Sequence, residues 1–170
     1  MLPDIHKILY CTNLGLEAPH VFRYALSQAQ HYNAVVHILH VVEPMSSFAR
    51  GLVEQYISSQ KFDSIHEESR KYVLDRIKRR VSAFCDKETC NLLEGNDLMH
   101  GISVLEGQPM ETILKTGQEL PADLIVLGSH RRKHLEGPGI LGSTARKIVN
   151  TSTIPVLTVY TPDDKMEELE

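Results

Sequence analysis

The stretch Leu124–Asn150, LIVLGSHRRKHLEGPGILGSTARKIVN, decides the fold that we expect for this chain. It opens with the branched apolar run Leu124–Leu127, which is too short for a helix of its own and is typical of a buried parallel strand. The run stops at Gly128-Ser129, and after a polar loop Gly137-Pro138-Gly139 interrupts regular structure. From Ser143 onwards the apolar spacing favours a helix, with Ser143 as its predicted N-cap.

This order of strand, glycine-flanked loop and helix start suits an anion. The loop carries Arg131, Arg132 and Lys133, and a helix start offers unpaired backbone N–H groups and the positive end of the helix dipole. Phosphate binding is one interpretation. The other is that the glycines only turn the chain, because glycine-rich loops between strand and helix are common.

Composition predicts a soluble globular protein with one full hydrophobic core. The chain has 170 residues, of which 42% are hydrophobic and 24% charged. A net charge of −4 creates no general attraction to nucleic acid or to an anionic membrane. No apolar run reaches the length of a membrane span, and the N-terminus lacks the form of a signal peptide, so we expect a cytoplasmic location. The cysteines Cys11, Cys85 and Cys90 are interpreted as reduced structural thiols.

Strand and helix patterns alternate along the rest of the chain, which predicts a parallel sheet with helices on both faces. The predicted strands are Lys7–Thr12, Val35–Val42, Ile102–Glu106, Asp123–Gly128 and Ile154–Tyr160. The predicted helices are Ala18–Tyr32, Ser64–Phe84, a segment starting at Pro109, and Ser143–Asn150. The stretch from Met45 to Lys61 is interpreted as a loop with at most a helical turn. Residues 1–162 are expected to form a single domain, followed by a frayed acidic tail at 163–170.

In these residues the chain resembles the universal stress protein family. The resemblance lies in KILYCTN at the first strand, ILHVVEP at the second, Gly107-Gln108-Pro109, and the paired blocks LIVLGSH and GILGSTARKIVNTSTIPVLTV. It implies an open five-stranded sheet of order 3-2-1-4-5, a Rossmann-like fold of the adenine nucleotide alpha hydrolase-like type. It also implies a homodimer and, in one branch of the family, ATP binding where the first and fourth strands meet.

The nucleotide-binding branch carries glycine, two residues, glycine, nine residues, glycine, and then serine or threonine. Gly128 and Gly142 occupy the ends of this pattern, but Arg131 stands at the second glycine, with ten residues between it and Gly142. Arg131 either holds a phosphate through its guanidinium group or points into the solvent. Asn13 replaces the family's first-strand aspartate, which weakens a metal-assisted arrangement and leaves a role for Mg²⁺ open.

Two functions therefore stay open. The first is a stress-response regulatory protein that binds ATP or another adenine nucleotide, and the alternative is a nucleotide-independent dimeric interaction module. The residues that the resemblance predicts for nucleotide binding are Thr12, Asn13, Val41, Gly128, His130, Arg131, Gly142, Ser143 and Thr144. No catalytic residue is predicted, although slow incidental ATP hydrolysis is left open. No metal ligand is predicted, because His37 and His40 lie three apart on a strand and point to opposite faces.

The last strand, Ile154–Tyr160, is predicted to lie at an edge of the sheet. Pro155 suits the start of an edge strand, and an uncovered edge exposes unpaired backbone groups. The family resemblance implies that the same strand of a second subunit covers this edge across a two-fold axis. We therefore expect a homodimer through Ile154–Tyr160 and no nucleic-acid partner.

Overall fold

The structure is a computed structural model, and it describes residues 2–54, 59–90, 98–129 and 141–160. Within these ranges strands and helices alternate along the chain. In order they are β1 (Lys7–Thr12), α1 (Ala18–Tyr32), β2 (Val35–Val42), α2 (Ser47–Glu54), α3 (Ser59–Cys90), β3 (Met99–Glu106), α4 (Pro109–Glu119), β4 (Leu124–Ser129), α5 (Ser143–Thr151) and β5 (Val156–Tyr160).

The strands form one parallel sheet of order β3-β2-β1-β4-β5, which confirms the predicted fold. The strand order reverses beside β1, because β2 and β3 extend the sheet on one side of it and β4 and β5 on the other. Cys11 of β1 is level with Leu127 of β4, and Thr12 is level with His40 of β2. In open α/β sheets ligands bind beyond the carboxyl ends of the strands at such a reversal.

Hydrophobic side chains fill both faces of the sheet. On one face Tyr10 and Phe22 stack with ring centroids 5.1 Å apart, and Phe84 of α3 lies 5.4 Å from Phe22. On the other face Ile148 of α5 packs in a cluster with Leu9, and both side chains are fully buried. Helices therefore cover both faces, as the strand patterns predicted.

The segment between β2 and β3 differs most from the sequence prediction. The stretch interpreted as a loop contains α2, a helix of eight residues, and α3 runs for 32 residues and so extends beyond the predicted Ser64–Phe84. The apolar spacing within Ser64–Phe84 predicts a buried position for Tyr72, yet this side chain is 64% exposed. Apolar periodicity locates only the part of a helix that packs, so the rest of α3 was missed.

Element boundaries elsewhere agree within a few residues, apart from one cap. Gly142 is the N-cap of α5 and Ser143 is its first helical residue, so the prediction of Ser143 as N-cap was wrong. Pro109 stands in the first turn of α4, as predicted. The predicted acidic tail lies outside the described residues. No helix in the described ranges combines the length and apolarity that crossing a membrane requires.

Candidate functional site

A crevice of about 520 Å³ opens at the carboxyl ends of β1, β2 and β4. This volume is within the usual range for small-molecule sites, roughly 300–1,000 Å³. The predicted residues that the structure brings together along its wall are Thr12, Asn13, Val41, Gly128, Gly142, Ser143 and Thr144. The other two predicted residues, His130 and Arg131, lie outside the described residues.

The wall contributed by β1 is a turn held by its own side chains. Thr12 Oγ1 accepts a hydrogen bond from the Leu14 N–H at 3.0 Å, and Asn13 Oδ1 accepts one from the Gly15 N–H at 2.9 Å. Asn13 Nδ2 also donates to Glu17 Oε1 at 3.0 Å, while Leu14 adopts a left-handed φ of 58°. The Asn13 amide therefore stabilises the turn at the crevice, whatever else it contacts.

The opposite wall is the start of α5. Gly142 has no side chain to cap the helix, and its carbonyl accepts the first helical bond, from the Arg146 N–H at 2.9 Å. The N–H groups of the first turn consequently receive no side-chain cap from this residue, and they stand at the positive end of the helix dipole. This arrangement suits an anionic group.

The two glycines of the crevice are glycines for different reasons. A Cβ on Gly128 would lie 3.1 Å from Cγ2 of Val21, so packing explains this residue. Gly142 has φ −51° and ψ 152°, which any residue adopts. A Cβ there would meet no atom of the described residues within 4 Å. Neither backbone strain nor packing within the described ranges requires glycine at 142.

Sequence reasoning missed several residues that line the crevice, namely Glu17, His40, Glu43 and Pro109. His40 Nδ1 lies 2.8 Å from the Thr12 carbonyl oxygen. A carbonyl oxygen only accepts, so Nδ1 carries the proton and Nε2 is an acceptor in the neutral ring. Glu43 directly follows the end of β2, and the rule that ligands bind beyond strand ends would have identified it.

Cys11 lies in the wall of the crevice, but its thiol has low reactivity. Burial raises the pKa of the Cys11 thiol well above its ordinary value. The thiol is therefore protonated at neutral pH and a poor nucleophile, which agrees with its interpretation as a structural thiol. The described residues contain no group of three or more histidine, cysteine or acidic side chains that would hold a metal ion.

Comparison with known proteins identifies the class. The universal stress protein family model matches residues 4–160, and the chain belongs to this family. Universal stress protein MJ0531 of Methanocaldococcus jannaschii is 27% identical over 151 residues, which are 89% of this chain and 78% of that protein. A segment of 58 residues is 41% identical to stress response protein NhaX of Bacillus subtilis; it spans only 34% of this chain and 34% of that relative.

Solved structures support the same fold. Hypothetical protein MJ0577 superposes with a TM-score of 0.65 at 20% identity, covering 95% of this chain and 99% of that one. A universal stress protein in complex with cAMP superposes with a TM-score of 0.61 at 18% identity, covering 94% and 100%. At these identities the likeness concerns the fold.

Proposed function

We propose that this universal stress protein binds an adenine nucleotide in the crevice between β1 and β4 and acts as a stress-response regulator. The observation that carries the proposal is the start of α5, where a helix N-terminus without a side-chain cap from Gly142 faces a cavity of nucleotide size. Gly142 supports it, because its lack of a side chain has no explanation in backbone strain or in packing among the described residues. A fold relative solved with cAMP is consistent with an adenine ligand.

The proposed orientation follows from the two walls. The phosphates lie against the N–H groups of Ser143 and Thr144, and the base and ribose lie toward Asn13 and Val41 on the opposite wall. His40 Nε2, the acceptor nitrogen of the neutral ring, suits a ribose hydroxyl or an exocyclic amine as donor. His130 and Arg131 complete the phosphate site in this proposal.

A binding role fits the polar groups of the crevice better than catalysis does. Asn13 is neutral and already bonded to Glu17, and the Cys11 thiol has a raised pKa. Neither side chain is prepared to act as a base or a nucleophile at neutral pH. We therefore propose that any hydrolysis of ATP is slow and incidental.

Calorimetric titration tests the proposal with an isosteric pair of variants. Gly142→Asp places a carboxylate where a phosphate is expected, whereas Gly142→Asn adds nearly the same volume without charge. Both residues are favourable N-caps, so neither variant should lose stability. We expect ATP, ADP, AMP or cAMP to bind the wild type, and Gly142→Asp to bind at least about tenfold more weakly than Gly142→Asn, a difference of about 1.4 kcal/mol.

Titrations with and without Mg²⁺ complete this experiment. No heat with any of these nucleotides up to millimolar concentration would refute the proposal. Equal affinities of the Asp and Asn variants would show that the phosphate does not lie at the start of α5.

The edge strand β5 favours a second function, in which the chain is a dimeric interaction module with or without nucleotide. Among the described residues β5 pairs with β4 and has no strand on its other side. The Pro155 carbonyl accepts from the Ile125 N–H. Since backbone groups alternate in direction along a strand, those of Leu157 and Val159 also face β4, and those of Thr158 point away from the sheet.

The side chains of β5 add a refinement to the expected interface. Val159 is buried in the core and Leu157 packs against it, whereas Tyr160 is 51% exposed. We therefore propose a homodimer in which outward backbone groups of Ile154–Tyr160 pair between subunits, with Tyr160 as the main apolar contact. Pairing of this kind is how uncovered edges are commonly protected.

Sedimentation velocity tests the dimer. Thr158→Pro removes an outward N–H and leaves the bonds to β4 intact, so the variant should be folded and shifted toward monomer. Thr158→Val is the matched control, which keeps the N–H and should remain as dimeric as the wild type. A wild type that is monomeric at tens of micromolar, or a Thr158→Pro variant as dimeric as the wild type, would contradict the proposed interface.

A further inference from the structure

A second polar cluster lies away from the crevice, at the β2–β3 edge of the sheet. The register of these strands shifts between Val36, which is level with Met99, and His37, which is level with Gly101. His100 is therefore the extra residue of a β-bulge. The bulge brings the His100 and His37 rings to a centroid distance of 5.7 Å at an interplanar angle of 57°.

The two ring nitrogens of His37 are satisfied to different degrees. Nε2 lies 2.8 Å from Ser103 Oγ. Nδ1 is buried, and His37 as a whole is only 8% exposed. Among the described residues this nitrogen has no hydrogen-bond partner. Buried polar atoms are nearly always paired, so an unpaired ring nitrogen indicates a missing partner.

The hydrogen bond to Ser103 determines whether Nδ1 of His37 suits a Lewis acid. In the tautomer whose Nε2–H donates to Ser103 Oγ, Nδ1 keeps a lone pair that a Lewis acid can bind. Desolvation by burial, together with the nearby His100 and Lys7, lowers the pKa of His37, which favours this neutral ring. Metal-ligating histidines commonly have this second hydrogen bond, which fixes the tautomer.

We propose that Nδ1 of His37 and the imidazole of His100 together bind a divalent transition-metal cation such as Zn²⁺, Cu²⁺ or Ni²⁺. Imidazole is a preferred ligand of these ions. A metal about 2.1 Å from one nitrogen of each ring places the two ring centroids roughly 5–6 Å apart, in agreement with the observed distance. The buried Nδ1 is reached from the side of His100, which is exposed, and solvent fills the remaining positions on that side.

Gly101 keeps the approach to this nitrogen clear. A Cβ on Gly101 would lie 3.3 Å from both Cε1 and Nδ1 of His37. Lys7 weakens cation binding at this site, because its positive charge near His37 repels a bound cation. The cluster therefore contains one residue whose removal should strengthen the site.

Titration of the full chain with Zn²⁺ and with Cu²⁺ at pH 7, followed by NMR of the histidine rings, tests the proposal. The His37 signals are assigned by their loss in His37→Asn. In His100→Gln, an exposed position whose change leaves the core intact, metal binding at His37 should weaken by at least about tenfold. His31→Gln is the control, since that exposed ring bonds to the Ser27 carbonyl on α1, and it should leave binding at His37 unchanged.

Two further variants separate a bound metal from a merely structural cluster. Ser103→Ala should weaken binding by about 10–100-fold, the usual effect of losing a partner that orients a ligand, while Lys7→Gln should tighten it. His37 ring signals that do not respond to either metal at millimolar concentration would overturn the proposal. Binding by His100→Gln as tight as by the wild type would also overturn it.

Discussion

The crevice and the β2–β3 edge belong to the same sheet, but they differ in how far their polar side chains are paired by hydrogen bonds. At the crevice the polar side chains follow strand ends, and Thr12, Asn13 and His40 all have partners within the protein. At the edge His37 lies inside a strand, and one of its nitrogens has no partner in the described residues. The crevice can therefore stand open at little cost in stability, whereas the edge cluster gains stability if something binds it.

This difference arises because the two faces of β3 are packed to different extents. The side chains of β3 that are packed in a core cluster, Met99, Ile102 and Val104, all contribute to the cluster beneath α1 and α3. On the other face of β3, Ser103 is partly buried and Leu105 is 40% exposed. Polar side chains are tolerated inside an edge strand where one face is only partly covered.

The largest effect on stability that we expect comes from Phe22, which lies in the core cluster to which side chains of both β1 and β3 contribute. Phe22 is fully buried and its ring contacts Tyr10, which lines the crevice, and Phe84 of α3. Phe22→Ala should lower the free energy of unfolding by about 3–5 kcal/mol, as measured by urea denaturation. Tyr24→Ala on the same helix, at a position that is 47% exposed, is the control and should change it by less than about 1 kcal/mol. Equal losses in the two variants would contradict the assignment of Phe22 to the core.

A smaller effect distinguishes the two glycines within the crevice. Gly128→Ala pushes a methyl group against Val21, which is 2% exposed, and should cost about 1–3 kcal/mol. Gly142→Ala meets open space among the described residues and should cost less than about 0.5 kcal/mol. Thermal denaturation measures both. Adding Val21→Ala should reduce the cost of Gly128→Ala, and additivity of the two changes would contradict the assigned clash.

The smallest expected effect is a pH dependence that arises at the edge cluster. The pKa of His37 is lowered from its ordinary 6.5 in the folded protein, so the unfolded chain binds this proton more readily. Stability should therefore fall as the pH drops through 6.5 toward the lower folded pKa, and level off below it. Urea denaturation between about pH 7.5 and 5 should give a shallower pH dependence for His37→Gln than for the wild type. An identical dependence in both proteins would remove His37 as its source.

Sequence alone was sufficient for the sheet and for most of the crevice. Parallel strands with apolar runs, such as Leu124–Leu127, are recognisable because burial on both faces leaves an uninterrupted apolar pattern. The family resemblance then supplied the strand order and the neighbours of Asn13. Glu17 was missed because its place in the crevice depends on the tight turn at Asn13–Gly15, which a strand-and-helix pattern does not reveal.

The edge cluster could not have been predicted in the same way. His37 was compared with His40, its neighbour in sequence, and the alternation of side chains along a strand excluded that pair. Its actual neighbour, His100, is brought into place by a one-residue bulge between β2 and β3. A bulge is a property of the pairing of two strands, so the sequence of either strand alone does not predict it.

The position of β1 in the sheet also affects when the crevice can form. The backbone N–H groups of His6 and Lys7 both donate to the Asp123 carboxylate, across separations of 117 and 116 residues. Such distant partners must close a long loop before their contacts contribute any stability, and this slows folding. We therefore expect the β1–β4 crevice to assemble late. During synthesis, a chain that has emerged from the ribosome with β1 but not yet with β4 lacks one wall of the crevice, so the site cannot form until β4 and α5 have followed.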